Sequence, residues 1–180
     1  MKGCMAIDRQ KTETVHWHAV FTASRAEKKV RDRLEELGVE CFLPVQTVLR
    51  QWTYRKSRVV VPVIAGLVFV RVSRQEQVKV LQTKGVVAFL RLKGEAGAAV
   101  IPDKQMEDFR FLLDFSEEAV EMTNENIKAG DLVRVVKGSL RGMEGELIRH
   151  KGMTKVLVRI DMLGCAMVNI PASFVEKLNK

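Results

Sequence analysis

The residues able to do chemistry are few and scattered. His16 and His18 alternate along a short apolar run, HWHAVFTA, and as strand residues would share a face. A shared metal would need further ligands, and Cys41 is the one candidate for a third. Nothing in the spacing completes a tetrahedral set, so the two histidines read as ordinary strand residues. The sequence contains no P-loop, dinucleotide fingerprint, nucleophile elbow or HExxH. Glu35-Glu36 and Glu117-Glu118 read as solvated charges. The expectation is a binding protein with no catalytic residue, no metal and no cofactor, and not an enzyme.

A second chemistry is legible in Arg50–Arg58. Arg50, Trp52, Tyr54, Arg55, Lys56 and Arg58 place four cations and two aromatics in nine residues, with no acid among them. Cations of this kind neutralise phosphates, and a ring stacks on an unpaired base. The same pattern also suits a plain β-hairpin with cross-strand aromatic pairing. Lys29 and Arg33, on the outer face of a predicted helix, are candidates to extend the basic surface. A solvated face is the default reading of such a helical charge run.

The element that must position these residues is Arg58–Val72, RVVVPVIAGLVFVRV. The uncharged run from Val59 to Val70 is too short to span a bilayer and is interrupted by Pro62 and Gly66. It predicts a strand in the middle of a sheet. Alternation puts Gly66, Val68, Val70 and Val72 on one face and Leu67, Phe69 and Arg71 on the other. Helices on one side only would leave Leu67 and Phe69 as an exposed apolar patch, which marks a partner. Burial on both faces is the alternative.

Around this strand the order is β-α-β-β-α-β-α. The first strand is HWHAVFTA, with Trp17, Ala19 and Phe21 on one face. The first helix is opened by a Ser24–Glu27 capping box and carries Ala26, Val30, Leu34 and Leu37 as its stripe. A second box, Ser73–Glu76, opens a short helix, and Asp103 after Pro102 opens a third with Met106, Phe109 and Leu113 inward. The predicted class is α+β, a split βαβ antiparallel sheet with helices on one face. Residues 1–15 are expected as a leader, 16–115 as the first domain and 116–126 as an acidic linker. Residues 127–180 carry short strands with Gly130, Gly138, Gly142 and Gly145 at bends, and are expected as a small all-β barrel of five strands.

The chain has 180 residues and a net charge of +8, shared by both parts, which fits contact with nucleic acid. Three widely spaced cysteines, Cys4, Cys41 and Cys165, suit a reducing compartment and not a disulfide framework. No apolar signal core follows the charged start, so a cytoplasmic location is expected.

The segments WHAVFTASRAEKKV, CFLP, PVIAGLVFVRV and GDLVRVVKGSLRGMEGEL, in this order, resemble the NusG family of transcription elongation factors. The resemblance runs from Trp17 to Leu178, and Gly130–Leu147 looks like a KOW motif behind an NGN-like domain. The leader and PVIAGLVFV look closest to specialised bacterial paralogues such as RfaH and the antiterminators of capsular polysaccharide operons. The resemblance implies a monomer, with no membrane partner, that binds the β′ clamp helices of RNA polymerase and suppresses pausing or termination. It maps the polymerase contact onto Trp17, Ala19, Phe21, Ile64, Leu67 and Phe69. It implies that non-template DNA of the transcription bubble meets the Arg50–Arg58 tip. It also implies that the barrel, through Leu140 and Met143, meets ribosomal protein S10 or Rho.

Two departures stand out. Ala65-Gly66-Leu67 replaces the family's Pro-Gly-Tyr, and Glu76-Gln77-Val78 replaces the His-Thr element that meets the β gate loop. Two other readings remain beside the leading one: a general NusG-type elongation factor, and a KOW protein that binds RNA or the ribosome. The preceding domain separates the family from the last of these.

Overall fold

The computed structural model describes residues 14–52, 55–125 and 127–178. The chain is α+β: a helix-flanked antiparallel sheet followed by a separate all-β unit. The first sheet is built from β1 (His16–Thr22), β2 (Glu40–Phe42), β5 (Leu67–Val72) and β6 (Val86–Phe89), in the order β2-β5-β1-β6. Trp17 lies opposite Arg71, Ala19 opposite Phe69 and Phe21 opposite Leu67. Partners across a ladder share a face, so this register joins the two apolar rows that alternation predicts.

The two faces are covered by different helices. Val20, Val68, Val70 and Val72 pack with Val30 and Leu34 of α1 (Glu27–Glu36) and Val80 of α2 (Glu76–Leu81). Trp17, Ala19, Leu67 and Phe69 pack with Met106, Phe109 and Leu112 of α3 (Asp103–Phe115). The expectation of helices on one face is corrected here: α3 crosses to the other. The cause is the chain between β6 and α3. Ile101 N–H donates to the Trp17 carbonyl at 2.8 Å, so this segment runs along β1 before α3 turns onto the open face. The apolar row there demanded cover, and the α3 stripe supplies it. Leu112, not Leu113, is the fully buried member of that stripe.

The Arg58–Val72 run is two strands and not one. Residues up to Pro62 belong to β4 (Arg55–Pro62), which among the described residues pairs with β3 (Val45–Trp52) alone, in a two-stranded hairpin outside the main sheet. A turn with Gly66 at φ +72° then starts β5. The left-handed conformation is one that a side chain disfavours, which explains the glycine.

The second capping box forms: Ser73 N–H donates to Glu76 at 2.8 Å, and Glu76 N–H to the Ser73 hydroxyl at 3.4 Å. The first does not. Arg25 takes φ +59°, α1 starts at Glu27 without a side-chain cap, and the Glu27 carboxylate is used elsewhere.

The all-β unit is a six-stranded sheet. Its strands are β7 (Glu121–Thr123), β8 (Asp131–Val135), β9 (Glu144–His150), β10 (Met153–Ile160), β11 (Gly164–Asn169) and β12 (Val175–Lys177), in the order β12-β8-β9-β10-β11-β7. Five of these fall in the expected barrel. The sixth, β7, lies inside the stretch expected as a linker and pairs with β11. It is pinned by Lys155, 1% exposed, whose ammonium lies 2.6 Å from the Glu121 carboxylate. The acidic composition that suggested a linker includes the partner of a buried cation. α3 packs on β10, and the Gln105 side chain accepts a 2.9 Å hydrogen bond from Asp161 N–H. One apolar cluster continues from the first sheet through α3 into the barrel.

Candidate binding surfaces

The face expected to meet polymerase is divided by α3. Trp17, Ala19, Leu67 and Phe69 are buried, Leu67 at 2% and Phe69 at 0% exposure. The expectation that Leu67 and Phe69 form an exposed patch is therefore corrected. Phe109 of α3 lies edge-on to Phe69 with centroids 6.0 Å apart, and Phe42 of β2 is 6.2 Å from Phe69. What remains open is the end of the row beside the Gly66 turn. Phe21 is 41% exposed and Ile64 is half-buried against the cluster. Beneath them the covered residues form a buried apolar floor.

That end is fixed in place by Glu27. Its carboxylate accepts a 2.7 Å hydrogen bond from Gly66 N–H, while the Gly66 carbonyl accepts from Thr22 N–H at 2.8 Å. At the opposite end, the Arg110 guanidinium on α3 lies 4.4 Å from the centroid of Trp17 and 4.8 Å from that of Phe42. Neither Glu27 nor Arg110 was singled out from the sequence as a site residue. Arg110 sits four residues after Met106, so a cation on the flank of the apolar stripe was its only local signal.

The basic surface is partly visible. Lys56 and Arg58 are exposed, opposite Gln51 and Leu49 in the hairpin ladder. Tyr54 and the side chains of Arg50, Trp52 and Arg55 lie outside the described residues. Lys28 Nζ reaches the Val60 carbonyl at 3.5 Å, so the first turn of α1 abuts the hairpin. Lys29 is exposed, whereas Arg33 is half-buried and donates to the Lys84 carbonyl at 2.6 Å.

In the barrel, Leu140 is 6% and Met143 4% exposed, both within the core. The expectation of an exposed apolar pair is corrected. Met143 N–H bonds the Leu140 carbonyl at 3.1 Å, and Gly142 at φ +93° lets the turn fold both side chains inward. Elsewhere in the barrel, Arg159 grips Glu146 at 2.6 and 2.9 Å, and Gly130 N–H donates to the same carboxylate at 3.0 Å. The Arg159 hydrogen bond holds the Glu146 carboxyl below its usual range, as the Lys155 hydrogen bond does for Glu121.

The histidines do not converge with Cys41. His18 is buried, with Nδ1 2.7 Å from the Ala99 carbonyl and Nε2 3.3 Å from the Gln77 amide nitrogen. In that pairing Nδ1–H donates and Nε2 accepts. Burial lowers the His18 pKa. Burial, then Glu35, pushes the Cys41 thiol up to about 11. Among the described residues no three His, Cys, Asp or Glu side chains are grouped to hold a metal. Among the same residues no helix is long and apolar enough to cross a membrane. In the segment aligned with the gate-loop element, Gln77 serves His18 and Val78 is 58% exposed.

A helix-flanked antiparallel sheet followed by a separate all-β unit defines an α+β two-part class of protein. The family model described as transcription termination factor NusG matches residues 15–110, and the chain belongs to the NusG family of transcription factors. No curated protein matches it. A solved structure of Thermotoga maritima NusG, described for its domain interaction, has the same fold. It shares 22% identity over 92% of this chain and 98% of that one, with a TM-score of 0.50. A chain from a crystal structure of an MjSpt4:Spt5 complex covers 91% of this chain and 99% of its own, at 18% identity and a TM-score of 0.27.

Proposed function

We propose that this protein is a transcription elongation and antitermination factor that binds RNA polymerase at the β′ clamp helices and suppresses pausing or termination. One observation carries the reading. Phe21 stands exposed on the α3 face, in register with buried Leu67 and beside half-buried Ile64, where the family resemblance maps the clamp contact. An aromatic seated on a packed apolar floor is a suitable anchor for a partner. Trp17, Ala19, Leu67 and Phe69 then act from below by fixing the position of Phe21 and Ile64. Binding favours the closed clamp and so shifts a conformational equilibrium, with no covalent step.

The finer reading is action at specific operons, polysaccharide operons by resemblance, in the cytoplasm and as a monomer. Non-template DNA meets the hairpin tip, and the barrel recruits ribosomal protein S10 or Rho, with Leu140 and Met143 shaping its turn from inside. A second reading is a general factor acting at all genes, which the family match supports equally because it does not distinguish paralogues. Sequencing the RNA and DNA that co-purify with polymerase through this protein separates the two. Reads confined to a few operons support the first, and reads across the genome support the second. Absence of polymerase from the purified complex overturns both.

A further inference from the structure

Arg110 is held in a way that packing alone does not require. Its guanidinium spans β5, lying over Trp17 of β1 on one side and Phe42 of β2 on the other. Contact with two rings restrains the guanidinium at this place on the sheet. Its Nε is buried and finds no acceptor among the described residues. No carboxylate among those residues pairs with it. The neighbouring Arg71 shares the unpartnered Nε but differs in its charge partners, with Glu40 at 3.5 Å and Asp103 at 3.7 Å. A desolvated donor without an acceptor is a cost that the right partner removes.

The position is also open. Lys104, Gln105 and Asp108 line the junction between α3 and the barrel. At about 100° per residue, Arg110 falls roughly half the helix circumference away from them. The half-buried side chain thus remains reachable with the barrel in place.

We infer that Arg110 is the charged anchor of the proposed polymerase-binding face and takes a carboxylate side chain of an RNA polymerase subunit. The inference rests on the polymerase-binding reading. Phosphate is disfavoured as the occupant. Glu40 and Asp103, at 51% and 55% side-chain exposure, stand beside the site and repel a polyanion.

The test is binding of the full chain to purified bacterial core RNA polymerase at low and high salt. Arg110→Met keeps the aliphatic cover over Trp17 and removes the charge. Arg110→Lys keeps the charge and removes the planar fork. We expect Arg110→Met to melt near wild type, to bind about tenfold or more weakly, and to lose salt dependence. Arg110→Lys should fall between the two. If the wild type binds polymerase and both variants match it at every salt concentration, the carboxylate anchor is overturned while the polymerase reading stands. If the wild type does not bind, the reading falls and the anchor with it. If Arg110→Met instead weakens binding to an isolated DNA bubble by the same factor, the occupant is phosphate and the inference is overturned. Should Arg110→Met unfold, Arg110→Lys alone decides: wild-type affinity and salt slope in that variant overturn the fork geometry.

Discussion

The Glu27 carboxylate, in the first turn of α1, accepts a hydrogen bond of 2.7 Å from the backbone N–H of Gly66, the residue that delivers the chain into β5. One side chain thereby links the helix on one face of the sheet to the turn that presents Phe21 and Ile64 on the other. Glu27 is 8% exposed and Gly66 is half-buried. An unmade bond there is replaced by solvent only in part.

Glu27→Ala should therefore lower stability by about 1–2 kcal/mol, the loss of a charge-assisted hydrogen bond to a half-buried donor. Glu27→Gln keeps an acceptor oxygen in reach and should cost under about 1.5 kcal/mol. Urea unfolding monitored by circular dichroism gives both values. Equal midpoints for Glu27→Ala and wild type would show that the bond contributes nothing.

Phe21 and Phe69 belong to one face but should respond in opposite ways. Phe69→Ala empties a fully buried site between Phe42 and Phe109 and should cost about 3–5 kcal/mol of stability. Phe21→Asp changes an exposed ring and should leave the midpoint of unfolding within about 1 kcal/mol. On the proposed function, Phe21→Asp should lose about 2 kcal/mol or more of polymerase affinity. Retained affinity in a folded Phe21→Asp protein would remove this residue from the contact.

Much of this was legible in sequence, and the limits are physical. Alternation along Leu67–Val72 sorted its side chains onto the correct faces, because period two is a local property of a strand. It did not say what covers each face. The destination of α3 depends on Ile101 pairing with Trp17, a contact between distant residues. The two capping boxes look alike in sequence, yet only Ser73–Glu76 closes. At the other, Arg25 turns left-handed and Glu27 bonds Gly66 instead. Leu140 and Met143 read as exposed because a glycine-rich turn suggests surface. The inward fold of that turn depends on the conformation at Gly142. Arg110 carries no motif at all, and only the approach of α3 to β1 and β2 gives it meaning.

Stability should fall on acidification in two stages. His18 is held neutral by burial, with its pKa lowered from 6.5, so an unfolded chain takes up a proton first. That contribution is complete above pH 6.5 and is lost as pH drops through the lowered folded value. Glu121 and Glu146 have folded values below the ordinary 4.5 because Lys155 and Arg159 hydrogen-bond them. Their contribution is complete above pH 4.5 and lost through the lower folded values. Unfolding midpoints measured from pH 8 to pH 3 check both. His18→Gln should flatten the upper stage, and Glu146→Gln the lower. An unchanged pH profile in Glu146→Gln would mean that the Arg159 pair does not report on folding.

The hairpin gives the last prediction. Lys56 and Arg58 lie on one exposed face of the ladder, Lys28 ties the start of α1 to β4, and the adjacent Lys29 is exposed. On the proposed function this surface follows non-template DNA in the bubble. Each cation that meets a phosphate adds to the salt dependence, and a ring stacked on a flipped base contributes about 1–3 kcal/mol. A protein with Arg50→Ala, Trp52→Ala, Arg55→Ala and Lys56→Ala should keep its affinity for core polymerase. It should lose crosslinking to the non-template strand of a paused elongation complex, and its antitermination should weaken. Trp52→Phe alone should retain most of the crosslinking, because stacking needs a π-face and not an indole. Arg33, committed to the Lys84 carbonyl, should matter less than Lys29 when each is changed to alanine. Undiminished crosslinking and antitermination in the fourfold variant would leave Lys56 and Arg58 as ordinary solvated charges on a β-hairpin.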